Sequence, residues 1–366
     1  MATSNQVCVW LNYPSPYQTE FLESLNFAGA LRQVIYYEPM PEARVQLGWT
    51  GGQQLLPYET RVANTAAAFD LLVQHRDVTH IFPGYGSTLI RSLVRAAIRD
   101  RIRWFHWSEP VAPGWRKYAF LPLRMAYGQV VNRFACGAFG IGDNALDDFA
   151  SWGIRANKRF LLPYSRSAET PINRIPKRKS PVIFGYAGVL NKRKAIDVVL
   201  LAFAGVMKQF PQSTLRLIGR DESAGDFSRL AQELGVAART EFVGALPETG
   251  VRKALASVDV FVFPSRFDGW GVALQEAALA GCALISTPTC GAARHLVIDG
   301  ASGFVVAPGC VAETERAMLY YASNAEKAAE HGLTGQNLAL DFTPETNVRR
   351  LLQAVNRSHH EDGSPV

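Results

Sequence analysis

The feature that most restricts what this chain can fold into is the rhythm of its apolar runs. Short stretches rich in β-branched and aromatic residues recur, each followed by a longer segment with helical spacing. In the first half they are Val7–Leu11, Gln33–Tyr37, Val78–Phe82, Ile102–His106 and Phe139–Ile141, with Arg159–Leu162 closing the set. In the second half they are Val182–Ala187, Thr214–Ile218, Glu241–Val243, Val258–Phe263, Ala283–Ser286 and Phe304–Val306. A strand that is apolar nearly throughout must be covered on both faces, and strands alternating with helices are joined by parallel crossovers. The expected fold class is α/β, with doubly wound, Rossmann-like parallel sheets.

At 366 residues the chain exceeds one ordinary domain, so two of roughly 150–180 residues are expected. The break falls at Ser165–Pro181, which contains Pro171, Pro176, Pro181 and the cluster Lys177, Arg178, Lys179. Its sizeable apolar side chains are Ile172 and Ile175, and it reads as a linker. Domains are therefore expected at 1–164 and 182–342. A helix over 343–357 follows, a candidate for packing back on the first domain, and then a polar, frayed tail at 358–366. Ligands of doubly wound sheets bind outside the carboxyl ends of the strands. Two such sheets facing across a cleft would hold one ligand on each side.

Composition narrows the classes. With 48% hydrophobic and 19% charged residues, the chain has the balance of a soluble globular protein. No apolar run, Val198–Met207 included, approaches the ~20 residues that span a bilayer. Met1–Gln6 has no basic residue ahead of a hydrophobic segment, so a cytoplasmic address is expected. Cys8, Cys136, Cys282, Cys290 and Cys310 are scattered without a C-x-x-C pair, which points to buried free thiols rather than a zinc site or disulfides. The net charge of +6 suits phosphate-bearing ligands or an anionic membrane surface. No helix-turn-helix, zinc finger or aromatic-basic RNA signature accompanies it, and nucleic acid is not an expected partner.

The segment from Phe263 to Thr287 carries the chemistry. A strand ends at Pro264-Ser265, a loop holds Asp268, Gly269 and Gly271, and a helix runs from about Val272 to Ala280 before Gly281 stops it. A glycine loop entering a helix is an anion site, because the backbone approaches closely and the first helical N–H groups are free. Gly269, Trp270, Gly271, Val272 and Ala273 are thus candidate ligand-binding residues for a diphosphate. Helical side chains lean toward the N-terminus, so Glu276 reaches back toward the hydroxyls of a ribose. Asp268 faces the sugar end.

This segment resembles the E-x7-E region of the retaining glycosyltransferases of family 4 (glycosyl transferases group 1), which have the GT-B architecture. Asp268 and Glu276 take the two acidic positions, the first as Asp where Glu is commoner, and Gly269-Trp270-Gly271 stands where the family has Gly-Phe-Gly. Ala280-Gly281, the Ile285–Thr287 strand, Gly291 and the run Asp299–Val306 follow in the family's order. A second match is Tyr186–Asp197, a strand, a turn at Gly188 and a basic loop. There Lys194 matches the lysine of the family's R-K-G, and Arg193 precedes it. Val189 stands where many members carry a further Arg. By this resemblance Arg193 and Lys194 clamp the donor diphosphate. Gly188, Arg220, and the backbone of Ala245 and Leu246 near the base complete the donor pocket.

The resemblance implies less for the first half. Tyr13-Pro14-Ser15-Pro16-Tyr17 replaces the Gly-Gly loop of many members, with Ser15 and Pro16 suited to open a helix. His106, in His106-Trp107-Ser108-Glu109-Pro110, stands where members often carry a functional His, and joins the expected catalytic set with Arg193, Lys194, Asp268 and Glu276. Tyr17, Gly84 and Glu109 are candidate acceptor contacts. Arg91, Arg95 and Arg99 fall four apart on one helix face, with Arg101 and Arg103 beyond. That face is either solvated or a contact for anionic lipid head groups.

The function expected is transfer of a hexose-type sugar, with retention, from a UDP- or GDP-linked donor to a glycan or lipid-linked acceptor in cell-surface polysaccharide or glycolipid synthesis. No cofactor and no metal are expected, since no D-x-D pair occupies a suitable loop. A peripheral position at the inner membrane face is compatible with this. The alternatives are another GT-B enzyme, a sugar-nucleotide epimerase or a phosphorylase, or a degenerate transferase that only binds.

Overall fold

The computed structural model describes residues 5–45, 55–168 and 181–362. They form two compact units, one reaching to Ser167 and resuming at Phe342, the other covering Ala168–Asp341. The expected linker therefore lies largely outside the described residues.

The first unit runs β1 (Val7–Leu11), α1 (Pro16–Phe27), β2 (Leu31–Tyr36), α2 (Glu42–Val45), β3 (Glu59–Arg61), α3 (Thr65–Gln74), β4 (Thr79–Pro83), α4 (Thr88–Arg99), β5 (Trp104–Ser108), α5 (Trp115–Ala119), α6 (Leu121–Phe134), β6 (Gly137–Gly140), α7 (Asp143–Ser151) and β7 (Arg159–Leu161). Its strands lie in the order β3-β2-β1-β4-β5-β6-β7, paired in parallel throughout. The second unit runs β8 (Ile183–Ala187), α8 (Ile196–Gln209), β9 (Thr214–Ile218), α9 (Asp226–Glu233), β10 (Thr240–Gly244), α10 (Glu248–Ala256), β11 (Val260–Phe263), α11 (Val272–Leu279), β12 (Ala283–Ser286), α12 (Ala293–Leu296), β13 (Gly303–Val305), α13 (Val311–Ser323) and α14 (Ala325–Ala339). Its order is β10-β9-β8-β11-β12-β13, also parallel. Both sheets reverse direction beside their first strand, as doubly wound sheets do. Two Rossmann-like units in one chain make the GT-B architecture. The last helix, α15 (Pro344–Asp362), belongs to the first unit and packs on α1 and β7.

Cores follow from the strand composition. All five residues of β1 and all four of β11 are buried, as are β12 and β6. Three departures from the expected pattern have local causes. β3 is a short, polar edge strand with no apolar run to announce it. The run at Ile102–His106 begins two residues before the strand, because Ile102 closes the end of α4. Arg101 takes φ +54, Arg101 N donates to Ile98 O and Ile102 N to Ala97 O, the two bonds of a Schellman cap with arginine in glycine's usual place. The expected linker and tail are both shorter than the sequence suggests. Ser165 and Arg166 are buried in the first unit, with Arg166 Nη1 on Pro16 O at 3.2 Å and 3.5 Å from Glu20. Ser358 is buried too, its hydroxyl accepting from Arg103 at 2.6 Å, and α15 continues to Asp362.

Candidate active site

In the second unit the reversal lies between β8 and β11, so the loops after these two strands emerge side by side. The first loop opens with Gly188 at φ +131, its N–H donating to Ile218 O at 2.9 Å. Across it, Gly219 sits so close that a Cβ would fall on Gly188 O. A basic 3-10 turn, Lys192–Lys194, follows, capped by Asn191 Oδ1, which accepts from Lys194 N at 3.0 Å. Asn191 Nδ2 donates to Glu222 at 3.0 Å, and this bond holds the Glu222 carboxyl below the usual range. Ala195 then takes φ +60, the left-handed conformation a glycine would adopt at that point of an R-K-G loop.

The second loop is sewn to the first. Arg266 N donates to Arg193 O at 2.9 Å, and its guanidinium grips Asp197 through both terminal nitrogens at 3.0 and 2.8 Å. It also donates to Lys192 O. In return Arg193 Nη1 donates to Phe267 O at 2.7 Å. Neither Arg266 nor Asp197 was signalled by the sequence, since the pair is separated by 69 positions and has no local pattern. Within this frame Lys194 Nζ reaches Asp268 Oδ2, both side chains being more than four-fifths buried. The ammonium lies 5.0 Å from the Phe263 ring centroid, within cation–π range. Phe263 and Phe261 stack with Tyr186 beneath the Gly188 turn.

Past Asp268 the chain crosses the 290 loop. Asp268 N donates to Thr289 O at 3.1 Å, Gly291 N to Asp268 O at 3.2 Å, and a Cβ on Gly291 would strike Gly269 O. Gly271, at φ +92, turns the backbone into α11. The first turn of α11 holds Val272 and Ala273 and no acidic residue, so its unsatisfied N–H groups keep their partial positive charge. Glu276 is half-buried, one turn further in. Gly281 and Cys282 close the helix with bonds to Ala278 O and Ala277 O, a Schellman cap at the expected place. Lys194, Asp268 and the amides that open α11 thus follow the neighbouring strands β8 and β11, an arrangement suited to a diphosphate.

Arg220 follows β9, its side chain 31% exposed and 3.0 Å from Glu222, with its carbonyl accepting from Leu190 N. Ala245 is exposed and Leu246 half-buried just beyond β10. The Trp270 indole is 1% exposed and donates to Gln275 Oε1 at 3.0 Å. It braces the loop from inside, and its side chain offers nothing to a ligand.

In the first unit, His106 is enclosed by the core. It is fully buried on β5, with Nδ1 3.1 Å from Tyr127 Oη and Nε2 2.9 Å from Ser108 Oγ. Tyr85, Phe149 and Trp152 pack around it, and burial pulls its pKa down to about 3. Glu109 and Tyr17 do come together, through Tyr164, which the sequence did not single out. The Tyr164 hydroxyl bonds Glu109, and its ring lies 6.4 Å from that of Tyr17. Burial first, then the Glu109 charge, hold this phenol well above its ordinary pKa. Gly84 follows β4, its N–H donating to Trp107 O at 2.9 Å.

Residues 168–337 match the sequence model of the family described as Glycosyl transferases group 1. A GDP-mannose-dependent alpha-(1-6)-phosphatidylinositol monomannoside mannosyltransferase of Mycolicibacterium smegmatis is 28% identical over 159 residues, 42% of this chain and 41% of the relative. The lipopolysaccharide glucosyltransferase WaaG of Escherichia coli is 29% identical over 157 residues, 42% of this chain and 41% of the relative. The chain thus spans about two-fifths of the length of each of these two relatives. Among solved structures, Anabaena HepE in complex with UDP matches with a TM-score of 0.75, at 14% identity, over 96% of this chain and 100% of that one. The lipopolysaccharide outer core galactosyltransferase WaaB matches at 0.74 and 17%, covering 96% and 99%. These likenesses confirm the two-unit fold.

Proposed function

We propose that this protein is a retaining hexosyltransferase that moves a sugar from a UDP- or GDP-linked donor to a hydroxyl of a glycan or lipid-linked acceptor in cell-envelope polysaccharide or glycolipid synthesis. The observation that carries this reading is that the loop of Arg193 and Lys194 is tied to the loop leading into α11, with Asp268 already drawn to Lys194. The donor diphosphate competes with Asp268 for the Lys194 ammonium, freeing the carboxylate for sugar hydroxyls. Glu276 accepts from the ribose. Gly188, Gly269 and Gly271 let the backbone approach the phosphates, while Arg220, Ala245 and Leu246 border the nucleoside. Tyr17, Glu109 and Gly84 border the acceptor.

In the reaction the bond from the anomeric carbon to the leaving phosphate oxygen breaks, and the acceptor oxygen bonds to the same face of that carbon. The acceptor's proton passes to the departing phosphate. The charge developing on the diphosphate is met by Arg193, Lys194 and the helix amides, donors already oriented and needing no metal beside them. The homology to envelope mannosyl- and glucosyltransferases supports this class of reaction, and the UDP complex of HepE supports a nucleotide donor.

Thermal-shift measurements with UDP-, GDP-, ADP- and dTDP-sugars identify the donor, and turnover with the stabilising donor follows. Lys194→Ala is expected to lose on the order of 10²-fold in rate, the scale of one stabilising donor. Glu276→Ala should mainly weaken nucleotide binding by calorimetry. Wild-type turnover in the lysine variant would overturn the assignment of the clamp.

A further inference from the structure

Two arginines just beyond the α4 row, Arg101 and Arg103, line a cavity that the proposed reaction leaves unused. It belongs to the first unit and encloses about 260 Å³. Arg103 and Cys136 in its wall directly precede β5 and β6, so the cavity lies at the amino ends of these strands. Ligands of a doubly wound sheet bind at the opposite, carboxyl ends, where Gly84 and Glu109 stand. The α4 row itself is committed elsewhere. Arg91 is bound to Tyr85 O, Gly86 O and Thr88 Oγ1 at 2.8–3.0 Å, and Arg99 to Asp100 at 2.7 and 2.8 Å.

The lining identifies the ligand. It holds four cations, Arg101, Arg103, Arg133 and Lys158, and among the described residues no Asp or Glu. Two are held ready. Arg103 Nη2 donates to Ser358 Oγ at 2.6 Å, and Lys158 Nζ donates to Ala135 O at 2.7 Å. These acceptors are neutral, so they orient the cations without cancelling their charge. Arg101 and Arg133 are exposed and able to close on a ligand. A single carboxylate would leave most of this charge unanswered. A phosphate monoester brings nearly two negative charges and three acceptor oxygens at neutral pH, and the arginine fork matches such oxygens in pairs. Ile98 and Phe134 add an apolar wall for the organic part. The volume falls just below the ~300 Å³ at which sites for drug-sized ligands begin, which favours a compact ester over a nucleotide.

We infer that this cavity binds a small phosphate ester of sugar-phosphate size, its phosphate held by Arg101, Arg103, Arg133 and Lys158. The site lies within the first unit alone and needs neither donor nor acceptor, so it stands or falls apart from the transferase reading.

The test is isothermal titration calorimetry of the full chain with glucose 6-phosphate, inorganic phosphate and glucose. Glucose 6-phosphate should bind, inorganic phosphate more weakly, and glucose not at all. Arg101→Gln/Arg133→Gln should weaken binding of the ester roughly tenfold or more, the scale of lost charge-assisted hydrogen bonds. Lys158→Gln gives an independent check with the same expectation, whereas Lys194→Ala on the donor loop should leave binding unchanged. The ester should also slow alkylation of Cys136 by iodoacetamide, and not that of Cys310 in the second unit. No binding of the ester by the wild type, or undiminished binding by the folded arginine and lysine variants, overturns the inference. So does loss of binding in Lys194→Ala, or alkylation of Cys136 that is indifferent to the ester. Glucose or inorganic phosphate binding as tightly as the ester overturns the ester assignment.

Discussion

Gly271→Ala disturbs the entry to α11 in two ways that can be separated. The residue sits at φ +92, a conformation that costs an alanine about 1–2 kcal/mol. Its new Cβ would also overlap Cys290 Sγ, which is fully buried and held 3.1 Å from Trp270 O. A sulfur fixed in that way cannot retreat, and overpacking of a tight interior adds about 1–3 kcal/mol. The variant should therefore be destabilised by about 2–5 kcal/mol. Cys290→Ala removes the obstacle and leaves the backbone strain. In that background Gly271→Ala should cost only about 1–2 kcal/mol, a coupling of about 1–3 kcal/mol between the sites. Urea unfolding of the four proteins, compared at constant slope, measures each corner of the cycle. Equal costs in both backgrounds would refute the steric part of the argument.

Arg266→Ala should free the basic loop from Asp197 and Lys192 O, lowering affinity for the nucleotide about threefold to tenfold while changing stability by about 1 kcal/mol or less, as befits a half-exposed pair. Calorimetry showing unaltered affinity would remove Arg266 as the loop's anchor. The pH dependence of the first unit follows from its buried histidines. Burial holds His106 near 3 and His80 near 4, whereas both titrate near 6.5 when unfolded. The unfolded chain thus takes up protons that the native one refuses, and stability is lost as pH falls from about 6.5 toward these values, at up to about 1.4 kcal/mol per pH unit for each. His106→Phe should flatten that slope between neutral pH and pH about 5. An unchanged slope in urea titrations would show that His106 is already protonated in the folded protein.

Much of the fold was legible because doubly covered strands are apolar almost throughout, as in Val260-Phe261-Val262-Phe263. The same property hid the fate of His106. Trp104, Phe105, His106 and Trp107 are all buried, so no alternation revealed which way the imidazole turns. β3 escaped notice because a half-exposed edge needs no apolar run. The donor-side residues were legible from spacing, since Lys194 and Asp268 each sit in a local strand–loop–helix pattern. What joins them was not. The Arg266–Asp197 clasp and the Tyr164–Glu109 contact link residues that share no local pattern, and only the folded sheet order brings them together.

The return of α15 to the first unit has a consequence for how the protein is made. The second unit is an insertion between Ser167 and Phe342 of the first. During synthesis it can fold as a whole while α1 still lacks its partner and Pro163 O still waits for Asn347, which donates to it at 2.6 Å. The domain that begins the chain is thus the one completed last. Until α15 emerges, the first unit would present its unfinished face to chaperones and proteases, so truncations within 344–362 should be felt first as poor yield of the whole protein.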